Sequence, residues 1–230
     1  MRKHILTFVG LLAFALPAWA DMSSDFKDNF RLNGLAAYNR DIATMVGLAD
    51  FHTGQSATFP GFDVGGVVAG VKTSSDNFSK KNYFYAPFVV AETQLPILGL
   101  GVALRGTAYD DFESLGGGLK WNGSLALVHF STGIFYDHYK TDYYNGNHYS
   151  ASASASVSVL MFTPYIGIGY DYSEMKVKSL GDFSGKKSDD GVMRYTAGVN
   201  FHPLPLLYVY GAYTYTKYNQ GFQGGVGINL

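Results

Sequence analysis

From His148 to Phe162 the chain reads HYSASASASVSVLMF. Tyr149, Ala151, Ala153, Ala155, Val157, Val159 and Met161 occupy one parity, and Ser150, Ser152, Ser154, Ser156 and Ser158 occupy the other. Successive side chains of a strand point to opposite faces, so this stretch predicts a ribbon with one apolar and one hydroxylated side. It is about as long as a tilted strand must be to cross a bilayer. The alternation recurs. Leu98, Leu100, Val102 and Leu104 lie opposite Gly99, Gly101, Ala103 and Arg105, while Ile166, Ile168, Tyr170 and Tyr172 lie opposite Gly167, Gly169 and Asp171. Met193, Tyr195, Ala197, Val199 and Phe201 lie opposite Arg194, Thr196, Gly198 and Asn200, and Phe222, Val226, Ile228 and Leu230 lie opposite Gln223 and Asn229. Residues 84–91 and 207–215 are apolar on both faces and leave their phase open.

About ten such runs follow residue 61, at 62–72, 83–93, 98–109, 114–121, 124–138, 147–160, 163–176, 191–201, 205–217 and 221–230. Gly- and Pro-bearing turns at 94–97, 121–123, 162–164 and 202–205 alternate with more polar connections at 73–82, 110–114, 139–146, 175–191 and 218–221. Both ends of the set then lie on the short-turn side, which requires an even count. The expected fold is all-β, an antiparallel barrel of about ten strands, with eight or twelve as alternatives. Pro87 and the glycines at 116–118 predict weak points or bulges. Before the strands, Leu35, Tyr38, Ile42, Met45, Val46 and Ala49 recur at helical spacing, with Asn39 and Asp41 as break positions between two short helices. That segment is expected in the periplasm, on the membrane surface or in the barrel mouth, as a short amphipathic helix closing one end.

Alternation alone does not say which face looks outward. Three features place lipid outside. The apolar face of the 147–160 run is mostly Ala, too small to fill a soluble core. Tyr83, Phe84, Tyr85, Tyr136, Tyr149, Tyr170, Tyr172 and Phe201 crowd near strand ends, where aromatic girdles sit, and the terminal run alternates to Leu230. Residues 1–20 read as a signal peptide, with Arg2 and Lys3, an apolar run and Ala18-Trp19-Ala20, and predict cleavage after Ala20. The expected organisation is a signal at 1–20, a helical or periplasmic segment at 21–61 and the barrel at 62–230. Loss of the signal leaves 15 basic against 18 acidic residues, which argues against nucleic acid as a partner. The chain has no Cys but 28 Gly, 18 Tyr and 17 Phe, with 15% charged residues. Disulfides and thiol chemistry are thereby excluded, and the composition is unlike an ordinary soluble surface.

Signal, alternation, turn asymmetry and an apolar last strand resemble the small bacterial outer-membrane β-barrel proteins; Leu230 departs from the aromatic terminal residue usual in that class. The resemblance implies residence in the outer membrane, with membrane lipids and the outer-membrane assembly machinery as partners. It leaves oligomeric state open. With lipid outside, Arg105, His129, Asp137, Asp171 and Arg194 point inward as a polar network. The expected role is non-enzymatic: structural, surface-binding or small-solute passage.

Two enzyme families offer alternatives. His129-Phe130-Ser131 puts an imidazole and a hydroxyl on one strand face and resembles the His-x-Ser element of outer-membrane lipid A deacylases, with Asp137 or Asp142 as the acid. Thr132 replaces the Asn that commonly follows the Ser there. Asp110-Asp111, Asp137-His138 and Asp189-Asp190 supply the residue types that omptin proteases use at their rim. The N-terminal helix also resembles the arrangement of the lipid A palmitoyltransferases. A secreted soluble barrel for an apolar ligand is the remaining alternative. Among loops, Tyr139, Tyr143 and Tyr144 with Lys186 and Lys187 are candidates for contact with a ligand or lipid headgroups. No metal-ligand spacing or cofactor motif is present, so no cofactor is expected.

Overall fold

The computed structural model describes residues 22–50, 61–96 and 99–230. The expected signal peptide and its cleavage site lie outside the described residues. Ten antiparallel strands close into a barrel in which each pairs with its sequence neighbours and the first with the last. They are β1 (Phe62–Lys72), β2 (Tyr83–Gln94), β3 (Leu100–Tyr109), β4 (Phe112–Leu125), β5 (Val128–Lys140), β6 (Tyr144–Val157), β7 (Phe162–Val177), β8 (Lys187–Leu204), β9 (Leu207–Thr216) and β10 (Gln220–Asn229). Closure leaves no sheet edge unpaired, the condition for strands to stand in lipid. At the seam Val67 faces Gly225 and Lys72 faces Gln220.

One end of the barrel carries the turns at 126–127, 158–161 and 205–206; the other carries the longer connections at 73–82 and 178–186. Several strands are longer than the sequence pattern indicates. The glycines at 116–118 do not stop β4, and Pro87 sits in a regular ladder opposite Val68. The connections expected at 110–114 and 139–146 shrink to 110–111 and 141–143. Polar residues such as Asn145 and Asn147 pair in register and extend the strands beyond the apolar zone.

Outward residues are those of the apolar parity: Leu115, Ile134 and Ile166 are 72%, 60% and 67% exposed, and Ile168 and Leu104 are also exposed. The opposite parity, including Ser150, Ser154 and Ser156, is buried. Tyr136, Tyr149 and Tyr172 form an outward row near the long-loop end, with centroids 5.3 and 6.2 Å apart. Phe84, expected in such a girdle, instead faces the lumen and is fully buried, because β2 presents Phe84, Ala86, Phe88 and Val90 inward.

The lumen is occupied by the N-terminal segment. Two helices, α1 (Met22–Asn29) and α2 (Leu35–Gly47), precede a 3-10 turn at Leu48–Asp50. The break falls at residues 30–34, not at Asn39 and Asp41, which lie within α2 with their side chains bonded to the barrel. Ten strands about 4.8 Å apart and tilted by about 40° give a backbone diameter of about 20 Å. A helix with its side chains needs about 10–12 Å, so the fit depends on short wall residues. At Gly221 a Cβ would stand 3.0 Å from a Leu48 methyl, and at Gly47 a Cβ would overlap the Asp171 carboxylate.

Candidate functional site: the lumen and its helix

The helix and the wall are matched face to face. Tyr38, Ile42, Met45, Val46 and Ala49 join Val67, Ala69, Val71, Phe84, Ala86 and Phe88 in one apolar cluster. Asn39 and Arg40 meet the opposite wall, and Asp41 meets the connections after β1 and β9. Asn39 Nδ2 donates to the Ser173 carbonyl at 2.9 Å, and its Oδ1 accepts from the Tyr139 and Ser173 hydroxyls, each at 2.9 Å. Arg40 pairs with Asp190 at 2.7 Å and lies 3.6 Å above the Tyr218 ring. Asp41 accepts hydrogen bonds from Ser74 N at 2.9 Å, Ser74 Oγ at 2.5 Å, Asn77 Nδ2 at 2.6 Å and Asn219 Nδ2 at 2.7 Å. Burial pushes its carboxyl above the ordinary value, against those four bonds. The Tyr38 hydroxyl is pushed up in the same way by burial and by the Tyr144 hydroxyl 3.2 Å away.

Below the helix, Asp50 closes a ring of buried ions. Arg105 on β3 grips Asp137 on β5 through Nε at 2.8 Å and Nη2 at 2.6 Å. Asp137 meets His148 Nδ1 on β6 at 2.9 Å, and His148 Nε2 lies 3.2 Å from Asp171 on β7. Asp171 pairs with Arg194 Nε on β8 at 2.8 Å. Asp50 joins the two ends, with Oδ1 on Arg105 Nη1 and Oδ2 on Arg194 Nη2 and on Ser150 Oγ. Both guanidiniums and all four of their partners in the ring have fully buried side chains. The imidazole has a carboxylate at each nitrogen; as imidazolium it donates to both, and the six ionisable side chains then sum to zero charge. Each wall Arg keeps a wall Asp, so the ring is built by five strands and completed by the helix segment.

The inward-facing residues expected from the sequence thus divide. Arg105, Asp137, Asp171 and Arg194 converge at mid-lumen, whereas His129 lies near the short-turn end, 3.3 Å from Ser158 Oγ. Asp137 is eight residues along β5 from His129, about 26 Å in a strand, and is committed to Arg105 and His148. Ser131 is buried beside neither acid. Asp137 and His138 face opposite sides of β5, the histidine bonding Asn147 outside at 2.9 Å. Of the expected loop surface, Tyr139 and Tyr144 are corrected: both are fully buried against Asn39 and Tyr38, because β5 and β6 extend to the rim and turn them inward. Tyr143 lines a cleft of about 440 Å³ with Lys27, Phe30, Leu180 and Phe183, while Lys186 and Lys187 are exposed beyond it. Sequence reasoning missed Asp50, Ser150, His148, Asn39 and Arg40. Their only advance signal is position: Asp50 ends an apolar helix, and His148 and Ser150 share a parity with the inward serines.

No family model matches the chain, and no curated protein does. Among solved structures, an outer-membrane channel from Pseudomonas putida F1 aligns over 79% of this chain and 98% of its own, with 8% identity and a TM-score of 0.50. Its fold is that of the bacterial outer-membrane β-barrels. The OprF N-terminal barrel domain of Pseudomonas aeruginosa aligns over 74% of this chain and 97% of its own, with 11% identity and a TM-score of 0.40. Ail of Yersinia pestis covers the same shares at 15% identity and 0.40. The long-loop end, where α1 lies, is the extracellular end in this architecture.

Proposed function

We propose that the protein is a non-enzymatic outer-membrane barrel whose lumen is closed by its own N-terminal segment, so that solute passage depends on displacing that segment. The single observation that carries this reading is α2 with Asp50, seated in the lumen by an apolar cluster on one side, by the ion ring, Asn39 and Arg40 on the other, and by Asp41 against the long-loop rim. Such matched burial on both faces distinguishes a lumenal plug from a helix lying on lipid, which needs only one apolar side. The outward-facing apolar belt supports the membrane setting over a secreted soluble barrel, and cleavage after Ala20 remains part of the proposal. The separation of Asp137 from His129 speaks against a deacylase-like triad. Planar-bilayer conductance tests the closure. The full-length protein is expected to insert without conductance steps, and Asp50→Ala with Arg40→Ala to flicker open. Steady open steps from the full-length protein would contradict it.

A further inference from the structure

The wall groups around Asp50 form a site before the helix supplies anything. Arg105 is held by Asp137 through two hydrogen bonds, and its guanidinium lies 4.4 Å from the centre of the Phe135 ring. Arg194 is held by Asp171, and Gly169 beside it leaves room: a Cβ there would sit 2.8 Å from Arg194 Nε. Each guanidinium therefore keeps at least one nitrogen against a wall carboxylate and presents another to the position of Asp50 in the lumen. Ser150 Oγ, 3.2 Å from Arg194 Nη2, adds a third donor. Two fixed guanidiniums and a hydroxyl converging on one buried point present donors to both oxygens of a carboxylate, as the Asp50 side chain shows. With the imidazolium at His148, the five wall ions sum to +1, so an anion completes the charge.

We infer that the lumenal wall carries a carboxylate-binding site formed by Arg105, Arg194 and Ser150, and that Asp50 is its built-in occupant. A small free carboxylate takes the same donors when the Asp50 side chain is absent. Cargo bearing a carboxylate and the plug then compete for one site, the plug with the advantage of being tethered. The site itself rests on the observed lumen geometry, not on conduction.

Chemical rescue tests it. The Asp50→Ala barrel in detergent micelles is followed by its heat-modifiable gel migration, in sodium formate and in sodium chloride of matched ionic strength. In chloride its unfolding midpoint is expected to fall below that of the unsubstituted protein, and formate is expected to return at least half of the loss. In Asp50→Ala with Arg194→Gln, formate is expected to do no more than chloride. If Asp50→Ala does not fold in chloride, refolding yield from urea is read instead, and formate is expected to raise it several-fold over chloride. Equal effects of formate and chloride on Asp50→Ala, in midpoint or in yield, would overturn the inference. Conductance of the full-length protein is a separate measurement, so failure of rescue and failure of the closed-lumen reading are distinguishable.

Discussion

Asp50 touches both lumenal arginines, and its removal leaves each facing an emptied position. Breaking one partner out of a buried ion cluster costs about 3–5 kcal/mol. Asp50→Ala should therefore lower stability by that order, measured by urea unfolding in micelles, whereas His129→Ala and Ser131→Ala, outside the ring, should change it little. Gly47→Ala should cost about 1–3 kcal/mol by overpacking, because the added methyl overlaps Asp171. Asp171→Asn is not expected to relieve that clash, since the amide has the same volume. That Arg105, Asp137, Asp171 and Arg194 face inward follows from parity alone, since each occupies the polar phase of its strand. Which of them meet does not follow. It depends on the stagger between strands, so His129 shares the face of Asp137 and still lies at the other end of it.

The strands were legible because a period of two repeated through ten elements is hard to produce otherwise, but two of the expected turns were misplaced: 121–123 and 162–164 are paired inside β4 and β7, and the chain reverses at 126–127 and 158–161, which carry neither Gly nor Pro. The strand ends were less legible: polar residues at the long-loop rim continue the ladder, as at Asn145 and Asn147, and hydropathy gives no reason to expect it. An arginine at Ile168, in the middle of β7 on the lipid face, should destabilise the barrel by about 2–4 kcal/mol in bilayers, read from unfolding titrations. The helix is the instructive case. Its apolar stripe at Tyr38, Ile42, Met45 and Val46 would suit a membrane surface as well as a lumen, and the same period describes both. What decides between them is the complement: a wall apolar on β1 and β2 and polar on β6 to β8, information spread over strands far away in sequence. Asn39→Ala should loosen α2 by about 1–3 kcal/mol by stripping partners from buried Tyr139 and Ser173, seen as faster amide exchange over residues 35–47.

Considered as one object, the barrel and its N-terminal segment have opposite directions. β1 starts at the short-turn end, while α1 lies at the long-loop end, with Phe26 against Phe78 and Phe30 against Phe183. Asp50 lies at mid-lumen and β1 begins at the short-turn end, so residues 22–29 are expected at the cell surface. This threading combines the outward apolar face, the closed lumen and the orientation of the helix in one claim. The absence of native cysteine makes it accessible to a direct measurement: a membrane-impermeant maleimide applied to intact cells carrying Ser24→Cys or Leu206→Cys. Both positions are exposed, at opposite ends of the barrel. Labelling of Ser24→Cys from outside, with Leu206→Cys reacting only after the cells are broken, is the predicted result. Labelling of Leu206→Cys but not Ser24→Cys on intact cells, or of neither, would contradict it.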